Sequence, residues 1–156
     1  MTRLKRITID RLKQLPRVAT VWEGDRRPMG GVIDGDLVPW GRQREQNDCI
    51  VWLDSSQGTV RGIGLVPASS GHEPIVRTLL QAIEAPQGSL APVRPQKVVV
   101  RDREIQFYLR GALQDLDITV DYVPTLPLVD DFFDALQRPN DLREADLPDR
   151  YSEAMV

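Results

Sequence analysis

The sequence predicts an α/β fold with a mixed sheet, on three observations. Apolar runs suited to strands, CIVWLD at 49–54 and KVVV at 97–100, alternate with segments whose apolar residues recur at helical spacing. Two strand segments, 49–54 and 59–67, flank a Ser-Ser-Gln-Gly turn and so form an antiparallel hairpin. After that hairpin the order is helix, strand, helix, strand, helix, which implies right-handed parallel crossovers with helices covering the sheet.

The elements follow in order. An N-terminal helix occupies 1–16, with Thr8 as its cap, Ile9, Leu12 and Leu15 on one side, and Pro16 ending it. RVATVWEG (17–24) reads as a strand closed by Gly24. The stretch 25–48, rich in Gly, Pro, Arg and Asp, reads as a long surface loop with a weak strand through Leu37 and Val38. The hairpin strands come next. Ser70 and Glu73 form a capping-box pattern, with Pro74 in the first turn, before a helix whose Ile75, Val76, Leu79, Leu80 and Ile83 share a face.

KVVVRD (97–102) is apolar enough for a strand covered on both faces. Asp102 then caps a helix carrying Ile105, Tyr108, Leu109, Ala112, Leu113 and Leu116. ITVDYV (118–123) alternates and belongs nearer the sheet edge. In LPLVDDFFDALQ (126–137), Val129, Phe132, Phe133 and Leu136 fall at i, i+3, i+4, i+7, with Asp130, Asp131 and Asp134 turned outward. The α/β domain is therefore 17–137, and 138–156 is an acidic tail.

At 156 residues the chain makes one domain, large enough to need no disulfide or metal for stability. Net charge is −3, which argues against a surface devoted to nucleic acid. The basic residues Arg94, Lys97, Arg101 and Arg103, with Arg110, make nucleic-acid binding the less favoured partner class. No apolar run has the length of a signal-peptide core or a membrane span, so the expected location is cytoplasmic, without membrane association. Cys49 begins an apolar strand and is expected to be a buried hydrophobe in a reducing compartment.

The stretch RPQKVVVRDREIQFYLRGALQDLDITVDYVPTLPLVDDFFDAL resembles an uncharacterised family, a domain of unknown function met in cyanobacterial and other bacterial proteins. The resemblance rests on Arg94-Pro95 before a strand, LQDLDITVDYV, and the Leu126-Pro127 helix start, and reaches back through VWEGDRRPMGG to cover about 15–137. It brings no catalytic residues with it.

The order of elements also resembles the ribonuclease H-like group, which includes junction resolvases. That resemblance implies carboxylates at the first strand, at the end of the strand after the first helix, and on the last helix, where they hold Mg²⁺ for phosphodiester cleavage. Asp54, Asp102 and Asp130 with Asp134 stand at those places as the elements are read here. Against this, the turn after Asp54 lacks the early glycine that lets backbone approach a phosphate or metal. Asp102 and Asp130 sit near helix starts, where an acid is favoured by the cap and the dipole alone. Asp131 and Asp134 belong to a solvated face.

Other chemistry is excluded sooner. His72 has no second histidine for a zinc site, the serines lie in turns without a nucleophile elbow, and no glycine-rich loop precedes a helix with Lys and Ser or Thr. A docking segment remains, in which Trp22, Arg26, Arg27, Met29, Trp40 and Arg42 supply residue types enriched at interfaces. The sequence thus predicts a non-catalytic module acting through a protein partner or self-association. No cofactor and no metal are expected, with Mg²⁺ only under the nuclease alternative.

Overall fold

The computed structural model describes residues 4–29, 32–33, 36–37 and 46–137. Its main sheet has five strands in the order β5-β4-β1-β6-β7. They are β1 (Arg17–Pro28), β4 (Asn47–Asp54), β5 (Thr59–Pro67), β6 (Arg94–Val100) and β7 (Thr119–Tyr122). Two short strands, β2 (Val32–Ile33) and β3 (Asp36–Leu37), pair only with each other. The helices are α1 (Arg6–Lys13), α2 (Glu73–Glu84), α3 (Arg103–Leu113) and α4 (Pro127–Gln137).

β1 is the centre of the sheet. It pairs antiparallel with β4 and parallel with β6, while β7 continues the parallel part beside β6. Three antiparallel strands followed by helix, strand, helix, strand, helix is the ribonuclease H-like order of elements, in a mixed α/β sheet. The antiparallel part has one strand more than the 49–67 hairpin alone. RVATVWEG is that strand, and it does not stop at Gly24 but runs on through Asp25, Arg26, Arg27 and Pro28. Residues 25–28 are therefore strand, a correction to the long-loop reading of 25–48.

Strand periodicity divides the core. Trp22, Ile50, Trp52, Val98 and Val100 face α2 and α3, whose Ile75, Leu79, Ile83, Ile105, Leu109 and Leu113 complete the larger cluster. Cys49, Val51 and Leu53 face the other way and pack against Leu126, Val129 and Phe133 of the α4 segment. Close approach fixes the first layer. A Cβ at Gly24 would lie 2.2 Å from the Trp52 ring, so that ring lies over bare backbone, and one at Gly62 would lie 2.9 Å from Ala82 Cβ on α2.

Helix starts depart from the sequence expectation in two places. α1 begins at Arg6 after Lys5, with no side-chain cap, so Thr8 lies inside it. Ser70 does not cap α2. Its hydroxyl donates to the Pro67 carbonyl, and His72 stands at the cap position without a side-chain bond. Asp102 does cap α3, its Oδ1 accepting from Glu104 N at 2.8 Å and Ile105 N at 3.1 Å.

Candidate functional site

β1, the first strand of the main sheet, carries Glu23 and Asp25. Asp54 ends the second strand. It stands opposite Trp22, three residues back along β1 from Asp25, and its parity matches Ile50 and Trp52 on the α2 and α3 face. Its Oδ1 accepts from Ser56 N at 2.9 Å and from Ser56 Oγ at 2.7 Å, which closes the hairpin turn. Asp102 caps α3, and among the described residues Asp54, Asp102 and Asp130 form no group that could hold a metal ion. Asp134 is exposed one turn beyond Asp130.

Glu23, Asp25 and Arg27 alternate along β1 and so project to the α4 face. Glu23 is buried, and its Oε1 accepts from Leu128 N and Val129 N, each at 3.1 Å. A carboxylate from the sheet thus caps the first turn of α4 and favours its positive dipole end. Pro127, with no N–H to satisfy, opens that helix.

Two residues on, Asp25 Oδ2 accepts from Arg27 Nε at 2.8 Å and from Arg101 Nη2 at 3.4 Å. Arg101 directly follows β6. Arg27 Nη2 reaches Asp130 Oδ1 on α4 at 2.6 Å, and Arg101 Nη1 reaches the same oxygen at 3.5 Å. Arg27 also lies 4.9 Å from the Phe133 ring centroid. Two carboxylates and two guanidiniums so join β1, β6 and α4 in one ion network. Burial is the largest influence on the Arg27 guanidinium and opposes its charge, but bonds and attraction from Asp130 and Asp25 together raise its pKa above the ordinary arginine value. Asp25 is nearly closed off, with 7% side-chain exposure, against 41% for Asp130.

A shared Mg²⁺ requires carboxylate oxygens free to coordinate it in an octahedral shell. Here the two carboxylates are already bridged by guanidiniums, whose positive charges would repel the ion. Among the described residues, no group of three or more His, Cys, Asp and Glu side chains is placed to hold a metal ion. The residues present do not fit the Mg²⁺ of the nuclease alternative.

The remaining arginines are also engaged. Arg26 faces the opposite side of the sheet, bonds Asp48 Oδ2 at 2.8 Å, and ties down the β5–α2 connection through carbonyls of Pro67, Ser70 and Gly71. Arg94 is buried and donates to carbonyls of Lys13, Leu15 and Leu116, anchoring α1 to the 3-10 turn after α3. Lys97 pairs with Asp121 at 3.0 Å, and Arg103 stacks 3.9 Å from the Tyr122 ring centroid. Among the described residues, Arg110 alone of the five basic candidates has no hydrogen bond, ion pair or ring contact, since Arg103 has its Tyr122 ring.

Arg61, which carries no motif in the sequence, is a buried guanidinium. It sits at a bulge in β5, 4.7 Å from the Trp22 ring centroid, and donates to carbonyls of Ala82 and Ala91. Burial lowers its pKa, while the charge of Asp54 opposes that shift.

Trp22 is fully buried, which corrects its place in the docking segment. Arg26 and Arg27 serve the internal bonds above. Met29 packs partly buried against the α4-side cluster. Trp40 and Arg42 lie outside the described residues. No described helix is long and apolar enough to cross a membrane.

Solved structures similar to this chain include the HTLV-2 integrase catalytic core domain in complex with magnesium. The trimeric form is 17% identical with a TM-score of 0.48, over 88% of this chain and 76% of that one. For the dimeric form the values are 15% and 0.49, over 85% and 74%. A simian T-cell lymphotropic virus intasome in complex with PP2A regulatory subunit B56 gamma is 17% identical with a TM-score of 0.49, over 88% of this chain and 47% of that one. No curated protein matches the chain. The family described as "Domain of unknown function (DUF6930)" matches residues 8–137, and the chain belongs to that family.

Proposed function

We propose that this domain is a non-catalytic interaction or assembly module built on a ribonuclease H-like scaffold. The observation that carries the reading is the bridge from Asp25 through Arg27 to Asp130, at 2.8 and 2.6 Å. Where the resemblance to nucleases implies carboxylates left open for Mg²⁺, this chain has an ion network that fastens α4 to the sheet. Glu23, the other acid of that strand, is committed to the α4 backbone. The arrangement holds a surface in place and commits Glu23, Asp25 and Asp130 to contacts within the fold.

The test is a cleavage screen with Mg²⁺ or Mn²⁺ on branched and single-stranded nucleic acids. The wild-type chain should cleave no faster than Asp25→Asn with Asp130→Asn. Metal-dependent cleavage that this double variant lacks would overturn the reading.

A further inference from the structure

We propose that the groove between α3 and the outer edge of β7 binds an extended peptide carrying a carboxylate, taken up as an added strand. The proposal rests on the interaction-module reading and names the partner's chemistry.

β7 ends the sheet. Val123 N bonds the Val100 carbonyl at 2.9 Å, and in a parallel pair the bonding direction alternates along the strand, so Thr119 and Asp121 also address β6. The N–H and C=O of Val120 and Tyr122 consequently turn outward. Among the described residues, the Gln106 side-chain amide reaches the Val120 carbonyl, at the long distance of 3.5 Å. Beside this row lies a groove of about 640 Å³ walled by Gln106, Phe107, Arg110 and Gln114 of α3 and its following turn. The opposite edge is more closed, because Gln87 N takes the Arg61 carbonyl and Pro67 has no N–H to offer.

Charge and exposure define the occupant. Phe107 is 68% exposed, a ring presented to an apolar side chain of the added strand. Arg110, exposed and unpaired among the described residues, lies one turn further along α3 and calls for a carboxylate. The groove's own Asp121 is offset by Lys97 at 3.0 Å. Where β7 begins, Arg17 is held by the Asp117 carbonyl at 2.7 Å, so the guanidinium without a partner among the described residues beside the groove is Arg110. A single free guanidinium is too little for a nucleic-acid backbone, whereas main-chain pairing, an apolar contact and one charge suit strand addition.

The probe is a labelled, acetylated octapeptide alternating valine and threonine with one central glutamate, compared with its lysine counterpart by fluorescence anisotropy. The glutamate peptide should bind roughly tenfold more tightly. Arg110→Glu should reverse that preference, Phe107→Ser should weaken both peptides, and bound peptide should slow hydrogen exchange at Val120 and Tyr122. Equal affinities, no saturable binding at millimolar peptide, unchanged exchange at β7, or a dimer of the chain occupying that edge would overturn the proposal. Failure here with no metal-dependent cleavage removes the groove and leaves the non-catalytic reading standing. Cleavage overturns that reading whatever the peptide does.

Discussion

Arg27 Nη2 donates to Asp130 Oδ1 at 2.6 Å, while Nε of the same guanidinium holds Asp25 at 2.8 Å. One side chain on the central strand thus neutralises an acid on its own strand and one on the covering helix. Arg27→Met should cost about 2–3 kcal/mol of stability, because it leaves the enclosed Asp25 with Arg101, at 3.4 Å, as its one remaining guanidinium beside the Arg26 N–H at 2.9 Å. Arg101→Met, which removes a more exposed and more distant partner, should cost less. Urea unfolding of both variants measures the order.

Glu23 should behave as a helix cap supplied from the sheet. Glu23→Ala is expected to cost about 1–2 kcal/mol, and Glu23→Gln less, since the amide oxygen can still accept from Leu128 and Val129. Hydrogen exchange at those two amides reads the effect locally. Faster exchange there, with α3 unchanged, is the expected pattern.

Asp54 is predicted to stabilise the hairpin and to offset the buried Arg61 charge. Asp54→Asn keeps an oxygen for Ser56 but loses the countercharge, at a cost of about 1 kcal/mol, and Asp54→Ala loses both, at about 2. Thermal unfolding should separate the two variants. Equal stability of all three chains would contradict this role.

These residues show what patterning could and could not reveal. The β4–β5 hairpin and α2, β6, α3, β7 and α4 were legible because each carries an apolar stripe or run that burial requires. Residues 25–28 at the end of β1 were not, since Asp25, Arg26 and Arg27 are charges whose partners Asp130, Arg101 and Asp48 lie far along the chain. Taking the 49–67 hairpin as the start of the sheet put Asp54 on its first strand, whereas β1 precedes it and pairs with β4. The available signal was period two. Glu23, Asp25 and Arg27 alternate with Trp22 and Gly24 as a strand would, and opposite charges two residues apart on one face can pair. Nothing local in the sequence showed that Asp130 and Arg101 would complete the set.

Cys49 is enclosed between β1, β5 and the α4-side core, and burial pushes its thiol up to about 11. The native chain should resist thiol reagents at neutral pH and react only at the rate of unfolding. Because the folded value lies above that of a free thiol, the associated stability is intact below pH 9 and lost as pH rises toward 11. Cys49→Ala should flatten that alkaline decline. Rapid labelling of folded protein at neutral pH would contradict the enclosure.

The most direct test of the ion network is titration of the wild-type chain with Mg²⁺ and Mn²⁺ by calorimetry, alongside Asp25→Asn and Asp130→Asn. If Arg27 and Arg101 occupy both carboxylates, neither ion gives saturable heat at millimolar concentration and the wild-type melting temperature does not move. Saturable binding that raises that temperature and disappears in either variant would show that the carboxylates serve a metal.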